Sequence, residues 1–308
     1  MQWILLVLLL TLGCVEQQKV ERIAGEGIVI TGLASEEKAL YPGDQFRVYA
    51  TMENKGDKQA EIVEASLVKY GSFKPLGSVS TILFNGHPFM PPDLEKNTRG
   101  DIDQVDWLLE VPATKIGYDY PIGIEIAYDY SADSTLSADL MSKAKSRSGS
   151  ESPAPESIGS SGPLQVTMRT DNMVLNNSGE RYIKLDIEVS NVGSGVIKDD
   201  SASCPLGSVG CIRRLDLYVP KGDAIGSLSV SQCSGATYTK ADDGASTKVM
   251  FTNIGILHSG STWLSCNIYA KVDLDASPEF KNTYVFRTYA IYRYAVSDEV
   301  SVTVAGEQ

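Results

Sequence analysis

The sequence is short of the residues that carry most enzyme chemistry. Its 308 residues include two histidines, His87 and His258. That scarcity disfavours histidine-rich metal sites and triad arrangements. Lys and Arg number 27 against 39 Asp and Glu, a net charge of −12. A chain so short of cations is not built to grip nucleic acid or to dock on an anionic membrane by charge. Gly-x-Ser-x-Gly, His-Glu-x-x-His and the Gly-rich turns that cradle phosphates or dinucleotides are all missing. There is no Cys-x-x-Cys pair, which argues against a four-cysteine zinc site. No apolar run reaches the roughly 20 residues that cross a bilayer, and helical periodicity is weak throughout. What is present is 43% hydrophobic and 21% charged residues, enough to build real cores, in a length that suits about two domains.

The longest apolar run, Gln2 to Gly13, has the size of a secretory h-region. Thr11-Leu12-Gly13-Cys14 resembles a prokaryotic lipobox, with Gly directly before Cys, although Thr11 stands where Leu is usual and Met1-Gln2-Trp3 carries no Lys or Arg. The resemblance implies a signal peptide over 1–13, a lipid on Cys14 and a membrane-proximal tether over 14–27. An ordinary signal cut nearby or a retained signal anchor are the other readings. The expected location is the extracellular or pseudoperiplasmic face of a cell membrane, with the membrane as one partner. Removing Cys14 from the five cysteines leaves Cys204, Cys211, Cys233 and Cys266, an even set that in an exported chain reads as two disulfides. Three pairings are possible; Cys204–Cys211 and Cys233–Cys266 are expected.

The chain also repeats itself. Ile28-Val29-Ile30-Thr31 leads to Pro42-Gly43-Asp44, and Leu164-Gln165-Val166-Thr167 leads to Ser178-Gly179-Glu180, at an offset of 136. Each runs into an alternating segment that ends in Asn54-Lys55-Gly56 or Asn191-Val192-Gly193. Farther on, Tyr128-Asp129-Tyr130 matches Tyr292-Arg293-Tyr294 at an offset of 164, so copy two carries 27 more residues in its middle. Period-two alternation from Tyr118 to Tyr130 marks strands with one buried face. Leu136, Ala138 and Leu140 resume the pattern, as do Val300, Val302 and Val304; a turn is expected before each set. The fold class is therefore all-β, two tandem antiparallel β-sandwiches over 28–141 and 164–304, the second with a disulfide-braced insert. Between them, 142–163 holds eight Ser, three Gly and three Pro, the composition of a flexible linker.

The Pro-Gly-Asp turn, the alternating strand and the closing Asn-x-Gly resemble the CARDB-type and related Ig-like domains of archaeal and bacterial surface proteins. The resemblance implies that both sandwiches are Ig-like, and that they are adhesive or structural modules with no common catalytic residues. Residue by residue, little chemistry is gathered. Asp101, Asp103 and Asp106 form an acidic cluster that could hold Ca²⁺, though it lacks the EF-hand pattern. Asp199-Asp200 and Asp242-Asp243-Gly244 are similar, the latter a hairpin turn. Asn176-Asn177-Ser178 is a glycosylation sequon in a loop. Tyr284, Phe286, Tyr292 and Tyr294 share a strand face and read as core rather than as a sugar platform; Trp107 and Trp263 sit in apolar strand segments and read the same way. The expectation is a non-enzymatic surface lipoprotein that meets other surface or envelope proteins, without cofactor, nucleic acid or small-molecule substrate. Its alternatives are an accessory subunit of a secretion, pilus or transport assembly, and a carbohydrate- or calcium-dependent binder.

Overall fold

The computed structural model describes residues 23–37, 39–113, 117–148, 155–170, 173–198, 204–205, 208–257 and 260–305. The signal segment, Cys14, Asp199-Asp200 and His258 lie outside them. Copy one contains β1 (Ile28–Ser35), β2 (Ala39–Leu40), β3 (Gln45–Asn54), β4 (Glu61–Lys69), β5 (Lys74–Pro75), β6 (Ser80–Ile82), β7 (Ile102–Glu110) and β8 (Tyr118–Met141). β9 (Glu156–Gly159) follows. Copy two contains β10 (Leu164–Thr170), β11 (Met173–Val174), β12 (Glu180–Asn191), β13 (Val196–Ile197), β14 (Gly210–Ile212), β15 (Arg214–Pro220), β16 (Gly226–Ser234), β17 (Thr237–Asp243), β18 (Ser246–Thr252), β19 (Ile254–Ile256), β20 (Ser261–Val272) and β21 (Lys281–Val304).

Two four-stranded sheets, β1-β3-β7-β5 and β10-β12-β20-β16, face a single long sheet ordered β17-β18-β15-β21-β8-β4-β6. The alternation predicted from sequence sets which side packs. Phe46, Val48, Ala50 and Met52 of β3 are buried, as are Ile122, Ile124, Ile126 and Tyr128 of β8. Phe46 meets Phe73, and Phe73 meets Tyr120 across the sandwich, each at 5.3 Å between ring centres. In copy two Ile183, Leu185, Ile187 and Val189 of β12 fill the same role.

The order of copy one is that of an immunoglobulin domain: β1, β3, β7 and β5 as A, B, E and D, with β4 as C and the first half of β8 as F. The last strand, G, comes from the other copy. β8 and β21 pair antiparallel along their whole length, from Lys281↔Met141 to Val304↔Tyr118. The second half of β21 thus completes the sheet of copy one, and the second half of β8 completes that of copy two. β2 pairs parallel with β21 at Ala39↔Thr303, and β11 does the same with β8 at Met173↔Leu140.

The expected turns after Tyr130 and Tyr294 do not form. Ser131-Ala132-Asp133-Ser134-Thr135 offers no Gly, Asn or Pro for a tight hairpin, and neither does Ala295-Val296-Ser297-Asp298-Glu299. Each strand runs on instead, with Ala132, Leu136, Ala138 and Leu140 still buried. By contrast, the predicted Asp243-Gly244 hairpin is present, closing β17 on β18 at Asp243↔Ser246 with Gly244 at φ 61°.

Where it is described, segment 142–163 is docked rather than coiled free. Ser142 is buried, its Oγ accepts from Lys145 N (3.2 Å) to cap a short helix, Lys143–Arg147, and its own N–H donates to Phe280 O (2.9 Å). β9 then adds to the exchanged half of β8 at Ser134↔Gly159. An open strand edge presents unpaired N–H and C=O groups, and covering it satisfies them.

Candidate functional site

The repeated motifs converge on a local two-fold axis. In the β8–β21 pairing Asp129 lies opposite Arg293, Tyr128 opposite Tyr294 and Tyr130 opposite Tyr292. Asp129 and Arg293 are also equivalent positions of the repeat, and a residue can pair with its own equivalent only on a dyad. Around it four buried tyrosines stack edge to face, with ring centres 5.7–6.3 Å apart. Tyr128 Oη accepts from Ile28 N (3.1 Å) and Tyr292 Oη from Leu164 N (3.3 Å). Tyr130 Oη accepts from Lys58 N (2.9 Å) and Tyr294 Oη from Gly195 N (2.8 Å).

These contacts explain the Asn-x-Gly turns. Asn54 Nδ2 donates to Lys58 O and Asn191 Nδ2 to Gly195 O, both at 3.0 Å, presenting the N–H groups that the tyrosines bind. A Cβ on Gly56 would lie 2.1 Å from Tyr130 Oη, and one on Gly193 2.5 Å from Tyr294 Oη; only glycine fits. Burial pushes the hydroxyls of Tyr128 and Tyr292 well above the ordinary tyrosine range and that of Tyr294 up to about 12. They accept from backbone N–H groups and are buried, and Tyr294 Oη also donates to Asn191 Oδ1 (3.1 Å).

On the outer face of the joined sheet the dyad carries charge. Arg293 Nη1 donates to Asp129 Oδ1 (3.0 Å), Arg213 Nη1 to Asp129 Oδ2 (2.5 Å) and Arg293 Nη2 to Glu64 Oε2 (3.0 Å). The acids belong to copy one and the arginines to copy two. Arg213 follows β14, the strand that anchors the insert by pairing with β19.

Two open clefts of about 530 Å³ each lie on copy two. One sits beside the helix of the 142–163 segment and is lined by Lys143, Asn176, Arg181, Tyr182 and Tyr269. Its tyrosine rings are 5.1 Å apart, and a hydrogen bond from Tyr269 to Glu180 raises the Tyr269 hydroxyl. The other lies on the joined sheet: Tyr218, Arg287 and Tyr289 come from copy two, Asp133 and Thr135 from the strand half that copy one exchanges. That cleft exists only because the strands cross.

Both expected disulfides are present, Cys204–Cys211 within the insert and Cys233–Cys266 between β16 and β20. Tyr284, Phe286, Tyr292 and Tyr294 are buried as core, and Trp107 with them. Trp263 is not: β20 turns Leu264, Cys266 and Ile268 inward, so the odd positions face out, and Trp263 is 47% exposed under the Arg169 guanidinium at 5.4 Å. Asp101, Asp103 and Asp106 are not brought together. Asp101 Oδ2 accepts from Met90 N, while Asp103 and Asp106, three apart on β7, point to opposite faces, Asp106 pairing with Arg47. Among the described residues no group of three or more His, Cys, Asp or Glu is placed to hold a metal. Asn176 is an exposed loop residue whose Oδ1 accepts from Ser178 N and Glu180 N. His87 is exposed in its turn. The dyad charges and the joined-sheet cleft escape the sequence reading, since both require knowing that β8 and β21 pair.

No protein-family model matches the chain, and no curated protein does. Among solved structures it is similar to the collagen adhesin CNA of S. aureus (9% identity, covering 93% of this chain and 95% of that one, TM-score 0.21). It is also similar to the MSCRAMM ACE of Enterococcus faecalis (7%, 93% and 98%, 0.18) and to the major pilin SpaD of Corynebacterium diphtheriae (9%, 81% and 60%, 0.24). These neighbours are bacterial adhesins and a pilin; TM-scores of this size are too low for the likeness to bear on mechanism.

Proposed function

We propose that the chain is a non-enzymatic adhesive protein of a prokaryotic cell surface, tethered through a lipid on Cys14, that binds other surface or envelope proteins through copy two. The observation that carries this reading is the joined-sheet cleft of Tyr218, Arg287 and Tyr289. It is open, aromatic and charged, and held rigid by strands from both copies, the mix of side chains that enriches protein interfaces. The most strongly shifted titratable groups are the sealed tyrosines of the dyad, which serve packing rather than proton transfer. Capture of envelope proteins on the immobilised chain tests the reading: Tyr289→Ala with Arg287→Ala is expected to abolish capture, and undiminished capture rejects this face. Mass spectrometry of the mature amino terminus tests the anchor, which an unmodified end other than Cys14 excludes.

A second reading, a carbohydrate binder, is favoured by the pairing of exposed Tyr182 with half-buried Tyr269 beside Asn176 and Arg181. Glycan-array signal lost in Tyr182→Ala but unaffected by EDTA would select it.

A further inference from the structure

The dyad is the one place where each copy must present the same position to its partner. A symmetric pair of identical copies puts like against like there. In this chain copy one supplies Glu64 and Asp129, copy two supplies Arg213 and Arg293, and the three ion pairs among them all run between copies. Asp129 and Arg293 are about 13% and 12% exposed at their side chains, so solvent does little to screen them. Exchange between two copies of type one would set two Asp129 and two Glu64 against each other. Exchange between two of type two would set four arginines together. Like charges at the depth of Asp129 and Arg293 cost far more than exposed ones, while Glu64 and Arg213, more than a third exposed, add less.

We infer that the Glu64–Asp129–Arg213–Arg293 cluster is a pairing code that admits the unlike copy and refuses the like one. The four tyrosines do not discriminate, since each takes a backbone N–H in either copy; the more exposed pairs Lys198–Glu125, Lys281–Asp139 and Lys69–Glu299 also run between copies and lie farther along the seam. The seam therefore accepts copy two opposite copy one, within one chain or from a second molecule of the same chain, and rejects the homotypic pairs that an open strand end otherwise invites. The insert of copy two has a role in this, since it delivers Arg213 to Asp129.

Two full-length charge variants test the code. Arg213→Glu with Arg293→Asp makes every dyad position acidic; Glu64→Arg with Asp129→Arg makes every one basic. Each alone is expected to lose at least tenfold in yield of closed monomer at low salt. Co-refolded at equal amounts, the two are expected to form a 1:1 heterodimer on native mass spectrometry, because the acidic copies of one chain find the basic copies of the other. Variants that both close as monomers at the parent's melting temperature, with no heterodimer, overturn the inference. Should neither variant fold even when mixed, the neutral chain Glu64→Gln, Asp129→Asn, Arg213→Gln, Arg293→Gln decides. Refolded at high concentration it is expected to give several-fold more oligomer than the parent; the parent's monomer fraction overturns the code.

Discussion

Copy one and copy two start from the same motifs and end with different equipment. Copy one reaches its sandwich without a disulfide. Copy two has both disulfides, an insert that splits the counterpart of β4 into β13 and β15, and a share in each of the two clefts. Beyond their four-stranded sheets and the parallel pairings of β2 and β11, what the copies retain in common gathers at the dyad: the Asn-x-Gly turn, the Tyr-x-Tyr pair and the backbone donors that join them. What differs there is charge sign. The difference teaches that the shared residues hold the pair together, while the unshared ones say which copy pairs with which and where a ligand can sit.

The largest effect expected is on the side that has the disulfides. In the chain-entropy treatment, the 33-residue closure of Cys233–Cys266 is worth about 3.8 kcal/mol and the seven-residue closure of Cys204–Cys211 about 2.5 kcal/mol. Replacing both cysteines of the longer closure with Ser should lower the melting point more than replacing those of the shorter one. Because β21 and β8 belong to both copies, calorimetry should still show one transition. Two transitions, with copy one's unmoved, would break the comparison by showing the copies to be independent.

Next comes the shared turn. Gly56→Ala places a methyl against Tyr130 Oη and also 2.7 Å from Glu26 O, and should cost about 3 kcal/mol by denaturant unfolding. Gly193→Ala, with a nearest approach of 2.5 Å, should cost somewhat less. Equal and negligible costs would show that the turns tolerate a side chain and that the motif is not set by the tyrosines.

The tyrosines themselves come third. Tyr128→Phe leaves Ile28 N without its acceptor, and Tyr292→Phe does the same to Leu164 N; each should cost about 1–3 kcal/mol, alike in the two copies. Burial raises the folded hydroxyls above the unfolded value near 10, so the folded state favours the neutral form. Their stabilisation is complete below about pH 10 and is lost as pH rises; for Tyr294 the loss runs from about 10 to about 12. An unfolding curve followed against pH should fall in that window, and Tyr294→Phe should flatten its lower part.

Much of this architecture is legible in residue order. Period-two alternation gives the strands, the offset of the tyrosine motifs gives the repeat, and the even set of four cysteines beyond Cys14 gives the disulfides. The exchange is not legible in the same way, because alternation is local and says nothing about which copy a strand completes. Its one sequence signal is an absence, the missing turn former between Tyr130 and Leu136, and absences are read as loops unless a partner is in view. Trp263 fails for a related reason: an apolar neighbourhood does not say which face a residue takes, and the parity of β20 does. The linker reading of 142–163 fails at β9 because Ser- and Pro-rich composition says nothing of a nearby strand edge, on which Glu156–Gly159 is ordered although Ile158 stays exposed.

The smallest change in stability, and the sharpest reading of the topology, comes from cysteine pairs placed on the seam. Ser137 lies opposite Val285 in the antiparallel register, and both are exposed on the outer face. Ser137→Cys with Val285→Cys should cross-link on mild oxidation and shift the melting point little. In a copy that closed on itself, Ser137 would instead face Pro121, the counterpart of Val285 in copy one. Ser137→Cys with Pro121→Cys should therefore stay reduced under the same conditions. Peptide mapping after protease digestion distinguishes the two bonds. A link between residues 137 and 121, with none between 137 and 285, would mean that each sandwich keeps its own last strand. The dyad, its tyrosines and the joined cleft would then have to be abandoned together, because all three depend on the same 24-residue pairing.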